Sequence, residues 1–347
     1  MLVLGLALGL WALGWVMDVV VPRRLAVLGG LWGAVLFAHL VLPDGHGLRM
    51  VLGGDAKIWA VVGGLGALVA GYAFALKRLR ARAVPVPAAA SVAAGAFRQS
   101  ELDRYARHIL LREIGGPGQQ RLKAAKVLVV GAGGLGSPAL MYLAAAGVGT
   151  IGVIDADVVE GSNLQRQIIH ADARIGLPKV QSAEIAMRAL NPFITVQPYQ
   201  RRLDAETATA LIADYDLVLD GTDNFDTRYL VNRVCTALGK PLISAAITQW
   251  EGQISLYDPA QGGPCYECVF PERPLPGMVP TCAEAGVAAP LPGVVGSLMA
   301  SEAIKHITGA GETLRGRLMI FDALYAEARV IGIKKRAGCP ICGGGAG

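Results

Sequence analysis

One stretch near the middle of the chain constrains the fold more than any other: residues 125–157 have the pattern of a strand, a glycine turn, a helix and a second strand. Val127 to Val130 form a short run rich in β-branched residues, as expected of a strand that is buried on both faces. The following helix is predicted to end near Ala146, and Ile151 to Ile154 return as the second strand. Because a helix joins the two strands, we expect them to lie parallel in one sheet.

The turn between the first strand and the helix has the glycine spacing G-x-G-x-x-G, at Gly131, Gly133 and Gly136. This spacing lets the backbone turn tightly, approach a phosphate closely and open a helix. Asp155 stands at the tip of the second strand, nineteen residues after Gly136, where an acid can hold a ribose hydroxyl. The turn therefore predicts a nucleotide site. The glycines alone leave open NAD, FAD or ATP, or a turn needed only for packing.

The first part of the chain is more apolar than the rest. The 347 residues are 53% hydrophobic with a mean hydropathy of +0.45, and the excess lies in residues 1–76. Three stretches there, Leu2 to Val21, Leu25 to Leu42 and Ile58 to Leu76, are about long enough to cross a bilayer core. The sequence therefore predicts a membrane region over residues 1–82 with about three transmembrane helices. Two spans with one interfacial helix remain an alternative.

Basic residues around these stretches predict their orientation. Arg23 and Arg24 lie between the first two stretches, and a basic cluster follows the third, at Lys77, Arg78, Arg80 and Arg82. The positive-inside rule then places the amino terminus outside and everything after Lys77 in the cytoplasm, so the chain is predicted to be a multi-pass protein of the inner cell membrane. Residues 83–100, rich in alanine and proline, are expected to link this region to a cytoplasmic domain over residues 101–347.

The soluble part opens on a helical pattern over residues 101–114. Its apolar residues would share one face, namely Leu102, Tyr105, Ile109 and Leu110, and Arg107 falls outside that face. Gly115 to Gly118 are expected to end the helix. The net charge of +5 is mild, and there are no basic stripes with interleaved aromatic residues, so we predict no nucleic-acid partner.

Two polar segments follow the second strand. The first, residues 157–169, is dense in long hydrogen-bonding side chains, and Lys179 then precedes the next predicted helix. The second, DGTDN at residues 220–224, lies at the carboxyl end of an apolar strand, Leu217 to Leu219, where ligands bind in open parallel sheets. Asp223 could hold Mg²⁺ while phosphates supply the other oxygen ligands. Its alternative role is to cap the helix that follows.

The six cysteines fall into distinct groups. Two C-x-x-C pairs, Cys265 with Cys268 and Cys339 with Cys342, offer the four thiolates of a closed tetrahedral Zn²⁺ site, and disulfides are disfavoured in the cytoplasm. We expect this metal to clamp the tail onto the sheet and to do no chemistry. Cys235, in an apolar helical pattern, is expected to be a buried core thiol. Cys282 lies in a loop rich in proline and glycine, and functional and structural roles are equally open for it.

Together these motifs resemble one family. RYARHIL, VLVVGAGGLGS, DADVVEGSNLQRQ, GLPKV, LVLDGTDN, EGQIS, CYEC, TCAEAGV and CPIC follow the order of the ubiquitin-activating-enzyme-like (ThiF/MoeB/HesA) adenylyltransferases that act on sulfur-carrier proteins. The resemblance covers residues 101–347 and is closest to the molybdopterin-synthase branch. It implies an α/β fold: a Rossmann-like, doubly wound, mostly parallel sheet with a C-terminal antiparallel part. The apolar stretches and the linker lie outside the family pattern.

The resemblance also implies a reaction. Enzymes of this family use ATP and Mg²⁺ to adenylate the C-terminal Gly-Gly carboxylate of a ubiquitin-like carrier, and they release pyrophosphate. Molybdopterin cofactor biosynthesis is the implied pathway, with a thiamine-pathway carrier as the main rival. The residues implied in ATP binding are Gly131, Gly133, Gly134, Gly136, Asp155, Ser162, Asn163, Leu164, Gln165, Arg166, Lys179, Asp223 and Asn224.

Five residues are implied in catalysis. Arg166 and Lys179 would lie on the phosphates, and Asp223 would hold the magnesium ion. Arg107 matches an arginine that reaches into the neighbouring subunit's site, which would make a homodimer obligatory. Cys282 matches a cysteine that in some relatives forms a thioester or acyl-persulfide link with the carrier.

Two other functional classes provide the alternatives. A NAD- or FAD-dependent oxidoreductase would share the glycine fingerprint, but it has no use for the polar residues 163–166, Lys179 and DGTDN together, or for the paired cysteines. A catalytically idle, membrane-held docking protein would keep the fold. The intact charged positions count against it.

Overall fold

The computed structural model describes residues 2–82, 97–275, 278 and 282–343. The chain divides into two compact units, residues 1–90 and 91–347. Most of the predicted linker, residues 83–96, lies outside the described residues.

The described part of the first unit is helical: α1 (Leu2–Val16), α2 (Val21–Val41), α3 (Gly47–Leu52) and α4 (Ala56–Arg82). The indole N–H of Trp32 in α2 donates to the carbonyl of Trp59 in α4 at 2.7 Å. The Trp32 ring lies directly over Gly63, where a Cβ would overlap it. The glycine therefore allows the two helices to approach closely, as small residues do between apolar helices.

Two segments of this unit are long and apolar enough to span a membrane by length and composition: Arg23–Val41 within α2 and Ala56–Leu76 within α4. The predicted first span, Leu2 to Val21, is not supported. Its helix α1 has 15 residues and so rises only about 22 Å, less than the ~30 Å of a bilayer core. A turn at Asp18, whose φ is +51°, separates α1 from α2. By length and composition, the described residues therefore contain two candidate spans, at the second and third predicted stretches, rather than three.

The second unit alternates strands and helices. Its helices are α5 (Gln99–Ile109), α6 (Gly115–Ala124), α7 (Gly136–Ala146), α8 (Lys179–Leu190), α9 (Ala205–Ala213), α10 (Phe225–Ala237), α11 (Tyr266–Val269), α12 (Cys282–Ala285) and α13 (Pro290–Thr308). Its strands are β1 (Lys126–Val130), β2 (Thr150–Ile154), β3 (Thr195–Tyr199), β4 (Leu217–Asp220), β5 (Leu242–Ile247), β6 (Glu251–Tyr257), β7 (Arg317–Asp322) and β8 (Glu327–Gly332).

The strands form one sheet in the order β3-β2-β1-β4-β5-β6-β7-β8. The first five are parallel, and β6, β7 and β8 are antiparallel to their neighbours. The chain winds towards one edge after β1 and towards the other after β4. The carboxyl ends of β1 and β4 therefore lie side by side at a topological switch point, the usual ligand site in such sheets. This confirms the predicted α/β class and the antiparallel C-terminal part.

Helices cover both faces of the parallel part, as the alternation of buried side chains in β1 shows. Val127 and Val129 belong to the apolar cluster that includes α7, α8 and α13. Leu128 and Val130 belong to the opposite cluster, which includes α9 and α10. These four side chains are at most 3% exposed. Burial on both faces is why β1 has an unbroken apolar sequence.

The predicted apolar face of the first soluble helix is partly wrong. Tyr105 is buried, but Leu102 is 36% and Leu110 is 75% exposed, while Glu101 is only 3% exposed. Glu101 accepts from the backbone N–H of Arg98 at 2.9 Å and pairs with Lys123 at 2.8 Å. This acid therefore takes an inward position, which an apolar periodicity cannot predict. Gly115 also begins α6 rather than a loop.

Candidate active site

The glycine turn after β1 needs its glycines for steric reasons. Gly131 has a φ of +95°, and a Cβ there would lie 3.3 Å from the carbonyl oxygen of Gly221. A Cβ on Gly136 would overlap the carbonyl oxygen of Gly131. The turn is therefore closed on itself and packed against the residues after β4. Because α7 begins at Gly136, the turn leads directly into a helix N-terminus, a favourable place for phosphate.

Buried polar groups hold the glycine turn by hydrogen bonds to both the N–H and the carbonyl of Ala132. The Ala132 N–H donates to Asp155 Oδ2 at 2.8 Å, and the Ala132 carbonyl lies 2.9 Å from His170 Nε2. A carbonyl can only accept, so Nε2 carries the proton and Nδ1 accepts from the Ser182 hydroxyl at 2.9 Å. Burial lowers the pKa of His170 and thus favours this neutral form. Residue patterns did not predict His170, because its partner is 38 residues away in the chain.

Asp155, predicted to hold a ribose, already accepts two backbone N–H groups. Its Oδ2 takes that of Ala132, and its Oδ1 takes that of Asp157 at 2.8 Å. Burial raises the pKa of Asp155, and the Lys179 ammonium opposes that rise. A carboxylate offers about four lone-pair sites, so capacity for a ribose hydroxyl remains.

Lys179 begins α8 and is nearly buried, with a side chain only 6% exposed. Its ammonium lies 2.8 Å from Asp157 Oδ2, and the Asp157 side chain is 63% exposed. A buried ammonium needs an anion to replace its hydration. The exposed Asp157 supplies one from the solvent side, where a phosphate can compete for the same cation.

The polar segment after β2 places Arg166 beside the glycine turn. The Arg166 Cγ lies 3.7 Å from the position of a Cβ on Gly134, and its Nη2 donates to Asn163 Oδ1 at 2.9 Å. The other predicted residues of this segment lie close in sequence but differ in exposure: Ser162 and Gln165 are exposed, whereas Asn163 and Leu164 are half-buried. The segment thus brings a guanidinium to the turn.

The DGTDN segment packs against the glycine turn. A Cβ on Gly221 would lie 3.1 Å from Leu135 Cβ. Asp220, the last residue of β4, is fully buried and accepts from Thr222 and from the Ser244 hydroxyl at 2.9 Å. Asp223, in contrast, is exposed, and its carboxylate has no hydrogen-bond or ion-pair partner among the described residues.

The alternative role considered for Asp223, capping the next helix, is wrong. The cap of α10 is Asn224, whose Oδ1 accepts from the Thr227 N–H at 2.9 Å. Asn224 was predicted to bind ATP, and its side-chain oxygen is instead engaged in this cap. Asp223 is thereby left as the acid of the turn that faces solvent.

Two further predicted residues lie away from this cluster of contacts. Arg107 is exposed on α5, and no partner for it occurs among residues 97–275 and 282–343. Cys282 begins the four-residue helix α12, so the local structure there is helical rather than the predicted loop.

The two C-x-x-C pairs meet although 74 residues separate them. Neighbouring Sγ atoms are 3.8 Å apart for Cys265 and Cys268, 3.6 Å for Cys265 and Cys339, and 3.4 Å for Cys268 and Cys342. All four lie within 4.8 Å of one another. With Zn–S bonds of about 2.3 Å, the edges of a tetrahedron are about 3.8 Å, so the four thiols could hold a zinc ion. The separations exclude disulfides.

Cys235 takes no part in this cluster. It is 1% exposed within α10, and burial raises the pKa of its thiol. This agrees with the expected inert core thiol.

Residues 105–341 match the ThiF family. A sulfur carrier protein adenylyltransferase of Thermus thermophilus is 50% identical over 251 residues, which cover 71% of this chain and 93% of that protein. A probable adenylyltransferase/sulfurtransferase MoeZ of Mycobacterium tuberculosis is 52% identical over 250 residues, which cover 71% of this chain and 64% of MoeZ.

The fold is also similar to that of solved structures. The structure of E. coli MccB with ATP has a TM-score of 0.60 and 25% identity, covering 70% of this chain and 74% of MccB. The match to the ThiF family extends over most of the second unit, from α5 to Ile341 within the second C-x-x-C pair, and the similar proteins are named as adenylyltransferases. The chain therefore belongs to the ThiF family and is an enzyme of the nucleotidyltransferase class.

Proposed function

We propose that this enzyme uses ATP to adenylate the C-terminal Gly-Gly carboxylate of a ubiquitin-like sulfur-carrier protein, for sulfur transfer in molybdopterin cofactor biosynthesis. One observation carries the proposal: the Arg166 side chain lies against the glycine turn at the switch point, and Lys179 pairs with Asp157, whose backbone N–H donates to the Asp155 carboxylate that also bonds the turn at Ala132. The names of the relatives support the substrate class. A thiamine-pathway carrier remains the rival, since both branches use the same chemistry.

The reaction brings together two anions, the carboxylate of the carrier and the triphosphate of ATP. A carboxylate oxygen of the carrier attacks the α-phosphorus, an O–P bond forms, and the bond from the α-phosphorus to the bridging oxygen of pyrophosphate breaks. Such a step depends on positioning and on stabilisation of charge more than on a base. Lys179 and Arg166 would neutralise phosphate charge, and the N-terminus of α7 would offer backbone N–H groups.

Magnesium fits one residue of this site. Asp223 is exposed and without a partner in the described structure, so its carboxylate oxygens are available to a metal ion. Mg²⁺ is usually held by one or two carboxylates plus substrate phosphates. Bound there, Mg²⁺ would neutralise the charge of the departing pyrophosphate. Asp220 is unsuited to this role because its oxygens already bind Thr222 and Ser244.

The cysteine cluster is proposed to hold a structural zinc ion. Four thiolates close a tetrahedral site and leave no position for a water or a substrate. Zinc would thus tie the C-terminal Cys339 and Cys342 to the segment after β6, as expected from the sequence.

A second copy of the chain is the proposed partner of an apolar groove between α7 and α13. The groove encloses about 900 Å³, and Arg166 lines it together with apolar side chains. Three of these are well exposed: Tyr142 (56%), Ile168 (64%) and Val294 (40%). An exposed apolar surface of this kind is typical of an interface. A homodimer there would bring another subunit close to Arg166, and the unpartnered Arg107 is a candidate to complete that site.

Helices α2 and α4 are proposed to attach the enzyme to the inner membrane, with the catalytic unit in the cytoplasm. Their apolar side chains are exposed, as for Leu40 (68%) and Leu68 (70%), and would be better accommodated by lipid than by water. Arg23 lies in the first turn of α2 and Arg78 near the end of α4, so the positive-inside rule would put both of these ends on the cytoplasmic side. Deleting residues 1–98 is expected to leave a soluble, active dimer. An insoluble or inactive product would contradict a role limited to attachment.

The decisive experiment measures pyrophosphate release from ATP and Mg²⁺ on addition of candidate carriers, with the mass of the carrier's terminus recorded. We expect an increase of one AMP on a carrier ending in Gly-Gly. The control is the same carrier without its last two glycines. Failure of every molybdopterin and thiamine carrier to be adenylated would overturn the proposed function.

A covalent role for Cys282 is proposed separately, because adenylation itself needs no thiol. The variant Cys282→Ala should form adenylate normally but transfer sulfur slowly, and Cys235→Ala provides a control in the protein core. Normal sulfur transfer by Cys282→Ala would show that the covalent role is wrong.

A further inference from the structure

The residues between the first pair of zinc ligands are buried rather than exposed. Tyr266 and Glu267, which separate Cys265 from Cys268, are each only 4% exposed. In a C-x-x-C turn whose sole task is to present two thiols, the intervening residues can face solvent. Here both side chains contact α10, the helix that begins directly after Asp223 and Asn224.

Hydrogen bonds fix the C-x-x-C turn to the middle of α10. The Tyr266 N–H donates to Asn232 Oδ1 at 2.8 Å, and Asn232 Nδ2 donates to Glu267 Oε1 at 3.2 Å. Arg233 adds an ion pair to the same carboxylate at 3.0 Å. Because Asn232 and Glu267 are buried, a shift of the turn relative to α10 would leave their polar atoms without partners.

The Tyr266 ring continues this connection towards the nucleotide site. The Arg228 guanidinium lies over the ring, 5.8 Å from its centroid, and Arg228 is itself 5% exposed. Arg228 Nη2 donates to the carbonyl oxygens of Thr222 at 2.6 Å and Ala245 at 2.9 Å. Thr222 directly precedes Asp223. The buried Arg228 guanidinium therefore contacts both the Tyr266 ring of the cysteine turn and the backbone directly before Asp223.

The charge of Arg228 is balanced inside the same network. Its Nε lies 3.7 Å from Asp220 Oδ2, and its Nη1 donates to the Ser244 hydroxyl at 3.2 Å. Ser244 in turn donates to Asp220. Asp220 and Ser244 hold the guanidinium from β4 and β5, and the Tyr266 ring lies against it as well, so displacement of the ring would change the surroundings of the group that bonds Thr222.

We propose that Tyr266 and Arg228 are positioning residues that couple the cysteine metal site to the magnesium-binding carboxylate of Asp223. Filling the cysteine site fixes Tyr266, Tyr266 fixes Arg228, and Arg228 fixes the backbone before Asp223. The inference rests on the proposed function, in which Asp223 holds the magnesium of Mg·ATP. Coupling between two binding sites is reciprocal, so Mg·ATP must also tighten the binding of zinc.

The test uses zinc-loaded wild type and Tyr266→Leu, with Tyr215→Leu as the matched control. Tyr215 is a buried tyrosine of the same apolar cluster, 1% exposed, and its hydroxyl bonds Tyr199 and Gln197 rather than Arg228. Calorimetry measures the affinity for ATP with and without Mg²⁺, and metal analysis confirms the zinc content. We expect Tyr266→Leu to weaken Mg·ATP binding by about tenfold and to leave metal-free ATP binding nearly unchanged.

A second readout follows zinc itself. Zinc affinity is measured by competition with a chelator in the presence and absence of Mg·ATP. Wild type and Tyr215→Leu should hold zinc more tightly when Mg·ATP is bound, whereas Tyr266→Leu should not. Should Tyr266→Leu fail to fold, Arg228→Lys replaces it, because lysine keeps the charge but cannot bridge Thr222 and Ala245 in the same way.

The outcomes separate the two proposals. Absence of Mg·ATP binding by zinc-loaded wild type would overturn the proposed function. Normal Mg·ATP binding by wild type, together with equal losses in Tyr266→Leu with and without Mg²⁺, would overturn the coupling and leave Tyr266 a purely structural residue.

Discussion

The two sides of the candidate active site differ in how far the protein itself satisfies their polar groups. On the inner side, His170 bonds Ala132 and Ser182, and the buried Lys179 pairs with Asp157. On the outer side, Asp223 is exposed and without a partner in the part of the chain that the structure describes, as is Arg107 on the separate helix α5. The polar groups named on the inner side are satisfied within the protein, whereas the Asp223 carboxylate on the outer side has no partner among the described residues.

This difference shows where stability and activity are expected to separate. Groups that complete one another within the fold are costly to disturb, because each change leaves a buried polar atom unpaired or creates an overlap. Exposed, unpartnered groups contribute little to folding, so their substitution should alter chemistry alone. Four experiments test this separation.

Gly136→Ala should have the largest effect on stability, because it introduces a steric clash on the inner side. The added methyl group would overlap the carbonyl oxygen of Gly131, which is backbone and cannot rotate away. We expect a loss of more than about 2 kcal/mol in the free energy of unfolding, measured with urea, and no ATP binding. Gly116→Ala, where a Cβ meets no atom within 4 Å, is the control. Equal stability of the two variants would contradict the closed turn.

Asp223→Asn should affect the outer side without affecting the fold. Removal of this charge is expected to lower the rate of ATP–pyrophosphate exchange by about 10²- to 10³-fold, the usual range for loss of one charge-stabilising group. The unfolding midpoint should stay within experimental error of wild type. Asp226→Asn, an exposed acid three residues later, is the matched control. A comparable loss of activity in both variants would argue against a specific magnesium ligand.

Arg107→Ala tests whether a second subunit completes the outer side. Alone, this variant should be nearly inactive. Co-expressed with Asp223→Asn, it should recover about a quarter of wild-type activity, because half of the dimers are mixed and each has one intact site. Arg104→Ala, an exposed arginine of the same helix that bonds Leu190 instead, serves as control. Without recovery in the mixture, Arg107 acts in its own subunit or not at all.

The smallest effect concerns the pH dependence of the inner side. The pKa of His170 is lowered mainly by burial, so the unfolded chain binds its proton more readily than the folded one. The free energy of unfolding should therefore fall as the pH drops below about 6.5, the ordinary value for histidine. His306 is half-buried, and desolvation lowers its pKa as well, so it adds to this loss.

His170→Asn isolates the contribution of His170. This variant should be less stable at pH 7.5 but lose less further stability between pH 6.5 and pH 5 than wild type, as measured by urea unfolding. His306→Asn is the matched histidine control. An unchanged slope in His170→Asn would show that His170 is not the titrating group.

Much of this site was predictable because its parts are local in sequence. The strand Lys126–Val130, the turn from Gly131 to Gly136 and the helix after it follow one another directly, so spacing and β-branching suffice to predict them. The two C-x-x-C pairs are similarly recognisable from their chemistry. The length of the first helix could not be predicted from the first apolar stretch, because composition does not show where a helix ends, and α1 ends at Val16.

Other features depend on contacts between distant segments. His170 bonds the carbonyl of Ala132, which is 38 residues away in the chain, and the Arg228 guanidinium lies over the Tyr266 ring. The sequence around His170 and Arg228 has no periodicity or spacing that predicts these partners. Asp220 and Asp223 are two acids of one short motif, yet one is fully buried and the other is exposed. The position of β5 beside β4 buries Asp220 against Ser244 and leaves Asp223 exposed.

By itself, the sequence determined the fold class, the glycine turn and the two C-x-x-C pairs, because short-range sterics and side-chain chemistry suffice for each. The tertiary structure alone decided which polar groups complete one another and which remain open for a metal, a nucleotide or a second subunit. The physical reason is that hydrogen bonding and burial depend on which segments pack side by side, and the order of strands in the sheet differs from their order along the chain.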